Sequence, residues 1–183
     1  MIRVLWFALV LFSAKALAED PQTSLYHLDV QLTDQDGSAQ RIDLYRGHPV
    51  LITMFYGSCP NVCPLIFEAL RATEATLPEN ARGELRILLV SIDPKRDTPV
   101  ALAKLAKERH VDLKRWTIAS ASEHDVRTLA AALGIQYRKL PNGDFNHTSI
   151  ISLLTDDGSL VRQTSMLGQP DPALVAELTR KPQ

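Results

Sequence analysis

VLITMFYGSCPNVCPLIF, residues 50–67, passes from strand to helix through the only two cysteines in the chain, Cys59 and Cys63. Val50 to Tyr56 is a continuous apolar and β-branched run, the composition of a central strand covered on both faces. Gly57 and Ser58 break it. Pro64 is excluded from a helix interior but suits the first position. A helix is therefore predicted from about Pro64, with Leu65, Ile66, Ala69, Leu70, Ala72 and Thr73 as its inward stripe and Pro78 as its end. Cys63 is then the expected N-cap, its sulfur facing free backbone N–H groups and the positive end of the helix dipole. Both lower a thiol pKa, so Cys63 is expected to be partly thiolate near neutral pH. Cys59 lies in the preceding loop, which Pro60 stiffens.

Outward from this stretch, strands and helices alternate. SLYHLDVQLTDQDGSAQRIDL reads as two strands around Asp34–Gly37, with Leu28, Val30 and Leu32 alternating against polar neighbours. Leu85 to Ile92 is a second buried strand. Thr98-Pro99 is a cap and a proline for the next helix, which carries Val100, Leu102, Leu105 and Ala106. Trp116 to Ile118 is a short strand, and Ser122 caps a helix that Gly134 stops. Ile135 to Leu140 is a strand or extended segment, PNGDFNH is a turn-rich loop, and Thr148–Thr155 with Ser159–Thr164 read as a hairpin around Asp156-Asp157-Gly158. Pro172 to Arg180 is a closing helix. The expected architecture is α/β, a mixed central sheet flanked by helices with hairpins near both termini. A cysteine-bearing turn between a central strand and its helix is the thioredoxin-like arrangement.

The chain has 183 residues, and MIRVLWFALVLFSAKALA at its start has the layout of a secretory signal: Arg3, a short apolar run and an Ala16-Leu17-Ala18 site. That run is short of the roughly 20 residues that span a bilayer. Export, with the periplasm as destination, is expected, or anchoring facing the periplasm if residues 1–18 stay attached. Residues 19–183 would form one domain, a monomer, with no membrane span. Without Arg3 and Lys15 the formal charge moves from −1 to about −3. No basic patch points to nucleic acid. An oxidising compartment permits a disulfide.

Three readings of the cysteine pair stay open. A structural bridge would close a very small loop and add little by chain entropy. A redox couple departs from C-x-x-C spacing, but C-x-x-x-C can still cycle. Residues four apart on a regular helix keep Cβ atoms about 5–6 Å apart, against about 3.5–4.5 Å in a disulfide. A loop can close to that distance, or hold two thiolates around a metal at about 2.3 Å each. A metal needs a third ligand, and soft sulfur with one imidazole favours copper or zinc. Of the five histidines, His27, His48, His110 and His124 read as surface residues. His147 opens the apolar run SIISLL, at the mouth of a strand, where sites are built. Met54 reads as core, and Met166 has no case as a thioether ligand.

Three segments together resemble the Sco/SenC copper-chaperone family: CPNVCP at 59–64, SIDPKRDTP at 91–99, and His147 within FNHTSIISLLTDDG. The resemblance covers most of residues 19–183. It implies a thioredoxin-like domain binding one copper ion, cuprous or cupric, through Cys59, Cys63 and His147. It also implies a reversible Cys59–Cys63 disulfide as the metal-free oxidised state. Family members deliver copper to the binuclear centre of cytochrome c oxidase or reduce its cysteines. The implied partners are therefore that subunit, or another cuproprotein, and a copper donor. Asp93 matches a family acidic residue that supports the site, though it also suits a turn before Pro94. Arg96-Asp97 reads as a solvated turn pair. Asn61 and Asn146 stand where relatives commonly have Asp, and FYGS departs from the usual lead, which puts the client in question.

The competing function is a thiol–disulfide oxidoreductase using Cys59 and Cys63 on a client's cysteines, which would not need His147. A peroxiredoxin-like peroxidase lacks support, because it needs a Thr and Arg constellation and Ser58 is the only aliphatic hydroxyl close before Cys59. The chain reads as a binding and transfer protein rather than a turnover enzyme.

Overall fold

The computed structural model describes residues 24–180, so the expected signal segment lies outside the described residues. Three parallel strands form the centre: β3 (Val50–Phe55), β4 (Arg86–Ser91) and β5 (Trp116–Ala121). Every residue of β3 is buried, as its unbroken apolar composition requires. On one side β1 (Gln31–Asp34) runs antiparallel to β5, and β2 (Ala39–Arg41) pairs outside it. On the other, β8 (Ile151–Leu154) runs antiparallel to β3, with β9 (Leu160–Thr164) outside it. The order is β2-β1-β5-β4-β3-β8-β9 in one seven-stranded mixed sheet. The helices are α1 (Val62–Thr76), α2 (Glu79–Glu84), α3 (Pro99–Glu108), α4 (Glu123–Ala132) and α5 (Pro172–Thr179). This is the thioredoxin-like α/β architecture expected from the sequence, with a hairpin towards each terminus.

Helix α1 is anchored by its aromatic face. Phe67 meets Phe55 of β3 edge-on at 6.3 Å and stacks on Trp116 of β5 at 6.1 Å. Two turns further along the same face, Glu74 accepts from Trp116 Nε1 at 3.2 Å and from Arg115 Nε at 2.6 Å, so its buried carboxylate is fully partnered. The buried face is Cys63, Ile66, Phe67, Ala69, Leu70, Thr73 and Glu74. Leu65, expected inside, is 42% exposed, and Ala72 is only half-buried. Each residue turns the helix by about 100°, and the stripe is centred on Ile66 and Leu70.

Local signals located most other elements. Thr98 and Ser122 cap α3 and α4 with their hydroxyls, and Gly134 ends the α4 turn at φ 66°. Val100 is 81% exposed, so α3 packs through Leu102 and Ala106 instead. Leu25–His27 forms a 3-10 turn capped by Ser24, which shortens the first expected strand. Pro78 both follows α1 and caps α2, a helix the sequence did not announce. The PNGDFNH loop is not all loop: β6 (Tyr137–Lys139) and β7 (Phe145–His147) pair as a two-stranded hairpin outside the main sheet. Among the described residues, no helix is long and apolar enough to cross a membrane.

The topology puts three segments at one end of the sheet. β3 and β4 are parallel, so the cysteine loop and the 92–98 loop leave them side by side. β8 is antiparallel to β3, with Thr53 opposite Ile151, so the chain entering β8 arrives at the same end. Thr53 Oγ1 fastens that junction by donating to Ile150 O at 2.7 Å.

Candidate metal centre

α1 begins before its proline. Asn61 is the N-cap, Cys63 is the second helical residue and Pro64 the third. Pro64 is tolerated because first-turn N–H groups have no helical partner to lose. Cys63 is therefore not the N-cap, and its sulfur turns back to the strand, donating to Tyr56 O at 3.3 Å. The Cys59 amide donates to the same carbonyl at 3.2 Å. Both thiols are free and buried, Cys59 at 7% and Cys63 at 3% exposure.

The acidity of Cys63 is opposite to the sequence expectation, and Cys59 is the more acidic thiol. Burial raises the Cys59 thiol, but the amides of Cys63, Val62 and Asn61 and the Cys63 thiol hold it below its ordinary value. Burial pushes the Cys63 thiol far above the ordinary range, and the Cys59 sulfur and Asp97 carboxylate push the same way, against the opposing Tyr56 carbonyl. The helix N-terminus does activate a thiol. It activates the one in the loop, because the free amides point outward from the first turn.

The SIDPKRDTP loop supports the thiol loop through Asp97 rather than Asp93. Asp97 is 5% exposed, not solvated. Its Oδ2 accepts from Gly57 N at 2.8 Å and from the Ser91 hydroxyl. A Cβ on Gly57 would lie 2.6 Å from Asp97 Oδ1, so only glycine lets the two loops approach this closely. Asp93 is buried but ion-paired with Arg96 Nε, and its carbonyl closes the turn by accepting from Arg96 N and Asp97 N. Arg96 also donates from its guanidinium to Gly143 O at 2.7 Å.

His147 ends β7, opposite Tyr137 in the hairpin. The ring is half-buried, and burial depresses its pKa, so the imidazole is neutral at pH 7. Nδ1 lies 3.2 Å from Thr148 O. A carbonyl only accepts, so Nδ1 carries the proton and the Nε2 lone pair is free. The ring meets Tyr56 edge-on at 5.8 Å, and Phe145 meets Tyr56 at 5.4 Å. The Cys59 sulfur lies near enough to the Tyr56 hydroxyl to add to the rise that burial gives its pKa. Tyr56 thus stands between the thiol pair and the imidazole.

The structure brings Cys59 and Cys63 together and delivers His147 to the same end of the sheet, one tyrosine ring away. Among the described residues, no three His, Cys, Asp or Glu side chains stand as a closed ligand group. His27, His110 and His124 are exposed, and His48 pairs with Glu84. Met54 is core, Met166 is on the surface, and Asn146 is exposed. Tyr56, Arg96, Asp97 and Phe145 are the residues that sequence reasoning missed. Gly57 directly after a buried strand was the available sign of a close backbone approach.

Residues 18–181 match the SCO1/SenC family model. An SCO2-like protein of Rickettsia typhi is 26% identical over 138 residues, 72% of this chain and 66% of that protein. The chain thus spans just under two thirds of that relative's length. A SCO1/SenC family lipoprotein from Bacillus anthracis superposes with a TM-score of 0.72 at 19% identity, over 84% of this chain and 93% of that one. ScoI of Bradyrhizobium japonicum, solved with copper bound, gives a TM-score of 0.64 at 26% identity, over 81% and 94%. With nearly its whole length matched, the chain belongs to the SCO1/SenC family.

Proposed function

We propose that this protein is a copper metallochaperone that takes one copper ion on Cys59, Cys63 and His147. The observation that carries the reading is the pair of free, buried thiols at the start of α1, with His147 Nε2 unengaged at the same sheet end. Copper bound to the Bradyrhizobium relative supports it. Thiolate sulfur suits cuprous ion, and a neutral imidazole makes cupric ion tolerable. Cys59, already inclined to the thiolate, is the first donor. Cys63 gives up its proton on ligation, so affinity falls as pH falls. His147, with its Nε2 lone pair unengaged, would complete the set. Loss of two electrons and two protons from the thiol pair to an external disulfide or other two-electron oxidant would close a Cys59–Cys63 disulfide, which removes two donors and gives the metal-free oxidised state. Delivery to the copper-centre subunit of cytochrome c oxidase, in the periplasm after loss of residues 1–18, completes the proposal.

A copper titration of the reduced protein, followed by absorption, tests it. One copper per chain is expected, with His147→Ala changing the spectrum and weakening the affinity. Identical titrations for wild type and His147→Ala would remove the three-ligand site.

One observation favours a second reading, thiol–disulfide exchange on a client. Cys59 has the depressed pKa of an attacking thiol, and Cys63 the buried, protonated character of a resolving one. Exchange would survive His147→Ala, whereas copper ligation as proposed would not.

A further inference from the structure

We propose that Arg96 is a positioning residue for His147, the outer arm of a clamp that sets the separation between the imidazole and the thiols. The inference rests on the copper-site reading above and adds a residue to it. Arg96 and Asp97 are adjacent, yet they reach opposite halves of the site. Asp97 takes the Gly57 amide of the thiol loop at 2.8 Å. Arg96 reaches the hairpin that carries His147: its guanidinium donates to Gly143 O at 2.7 Å and lies 6.0 Å from the centre of the Phe145 ring. Asp93 holds the Nε side of the same guanidinium.

Phe145 and His147 are two apart on β7 and so share a face. A contact that fixes Phe145 and the Gly143 turn therefore fixes the direction in which His147 points. The hairpin has few other anchors. β6 and β7 are three residues each, and they bond to each other and not to the main sheet. Such a pair has little stability of its own. Besides Arg96 it rests on Tyr56, whose hydroxyl donates to Phe145 O at a long 3.4 Å, and on the packing of the partly buried Tyr137 and Phe145 against the core. A planar guanidinium can serve a carboxylate, a carbonyl and an aromatic face together, and an ammonium cannot. Arg96 is therefore specific, not simply a cation at this place.

The test compares wild type, Arg96→Ala, Arg96→Lys and His147→Ala. In copper-free reduced protein, the amides of residues 137–147 should exchange about tenfold faster in Arg96→Ala, with β3 and β4 unchanged. Arg96→Lys should fall on the same side as Arg96→Ala. On copper titration, Arg96→Ala should keep thiol binding of cuprous ion but lose the His147-dependent absorption, as His147→Ala does. Unchanged hairpin exchange in Arg96→Ala would overturn the inference. So would a wild-type spectrum in that variant, or wild-type behaviour of Arg96→Lys. Arg96 has a side chain 41% exposed, so the variants are expected to fold. If wild type and His147→Ala give one spectrum, the copper-site reading fails. The exchange experiment, which uses no copper, then still judges Arg96.

Discussion

Cys63 and His147 stand at one end of the sheet on supports of opposite kinds. Cys63 projects from a helix locked to the core by Phe67 and Glu74, next to a strand with no exposed residue. His147 projects from a short hairpin outside that sheet, held by Tyr56, Arg96 and its own turn. The thiol half is rigid because it is built from the most buried elements of the fold. The imidazole half can adjust because little burial holds it. A rigid thiol pair beside an adjustable imidazole suits the proposed metallochaperone, which has to hold a metal and give it up.

Backbone protection should separate the two halves most widely. Amides of β3 and β4 should be at least about a thousandfold better protected from exchange than those of β6 and β7, as core and peripheral openings differ in free energy. A flat profile, read by mass spectrometry on the reduced protein, would break the comparison. Gly57→Ala attacks the rigid half, since the new methyl meets Asp97 Oδ1 at 2.6 Å. It should cost about 1–3 kcal/mol in urea denaturation, and should disturb copper binding by shifting the thiol loop. Glu74→Gln lies in the same rigid half but far along α1. It should cost about 1–2 kcal/mol by weakening the Arg115 and Trp116 contacts, and leave the copper stoichiometry unchanged.

The smallest effect concerns the thiols themselves. Cys59 is held below its ordinary pKa and Cys63 above it. As pH falls, Cys59 therefore stays thiolate after Cys63 is protonated. As pH rises, Cys63 stays protonated beyond about 8.5, where a free thiol ionises. Iodoacetamide at pH 7 should label Cys59 in preference, read by peptide mass. Equal labelling would mean that the two sulfurs share one environment.

Much of this was legible before the structure. The β3 run, the proline beside Cys63 and the caps at Thr98 and Ser122 are short-range signals, and they located their elements to within a few residues. The same rules put the helix start at Pro64 and so made Cys63 the cap. A proline is equally compatible with any residue of the first turn, and packing chose the third. Arg96-Asp97 looked solvated because two adjacent charges in a turn normally are. Asp97 is buried by a glycine forty residues earlier in the chain, a partner with no local signature.

The amino-acid sequence alone determined the α/β order, the central strand, the placing of two thiols at a helix start, and His147 as the histidine at a strand mouth. These follow from side-chain periodicity, proline geometry and capping, which act over three or four residues. Tertiary structure decided which thiol is activated, which acid supports the loop, and that Tyr56 stands between sulfur and imidazole. Those outcomes depend on burial and on partners such as Tyr56 and Phe145, eighty-nine positions apart. Only the antiparallel pairing of β3 with β8 brings them together.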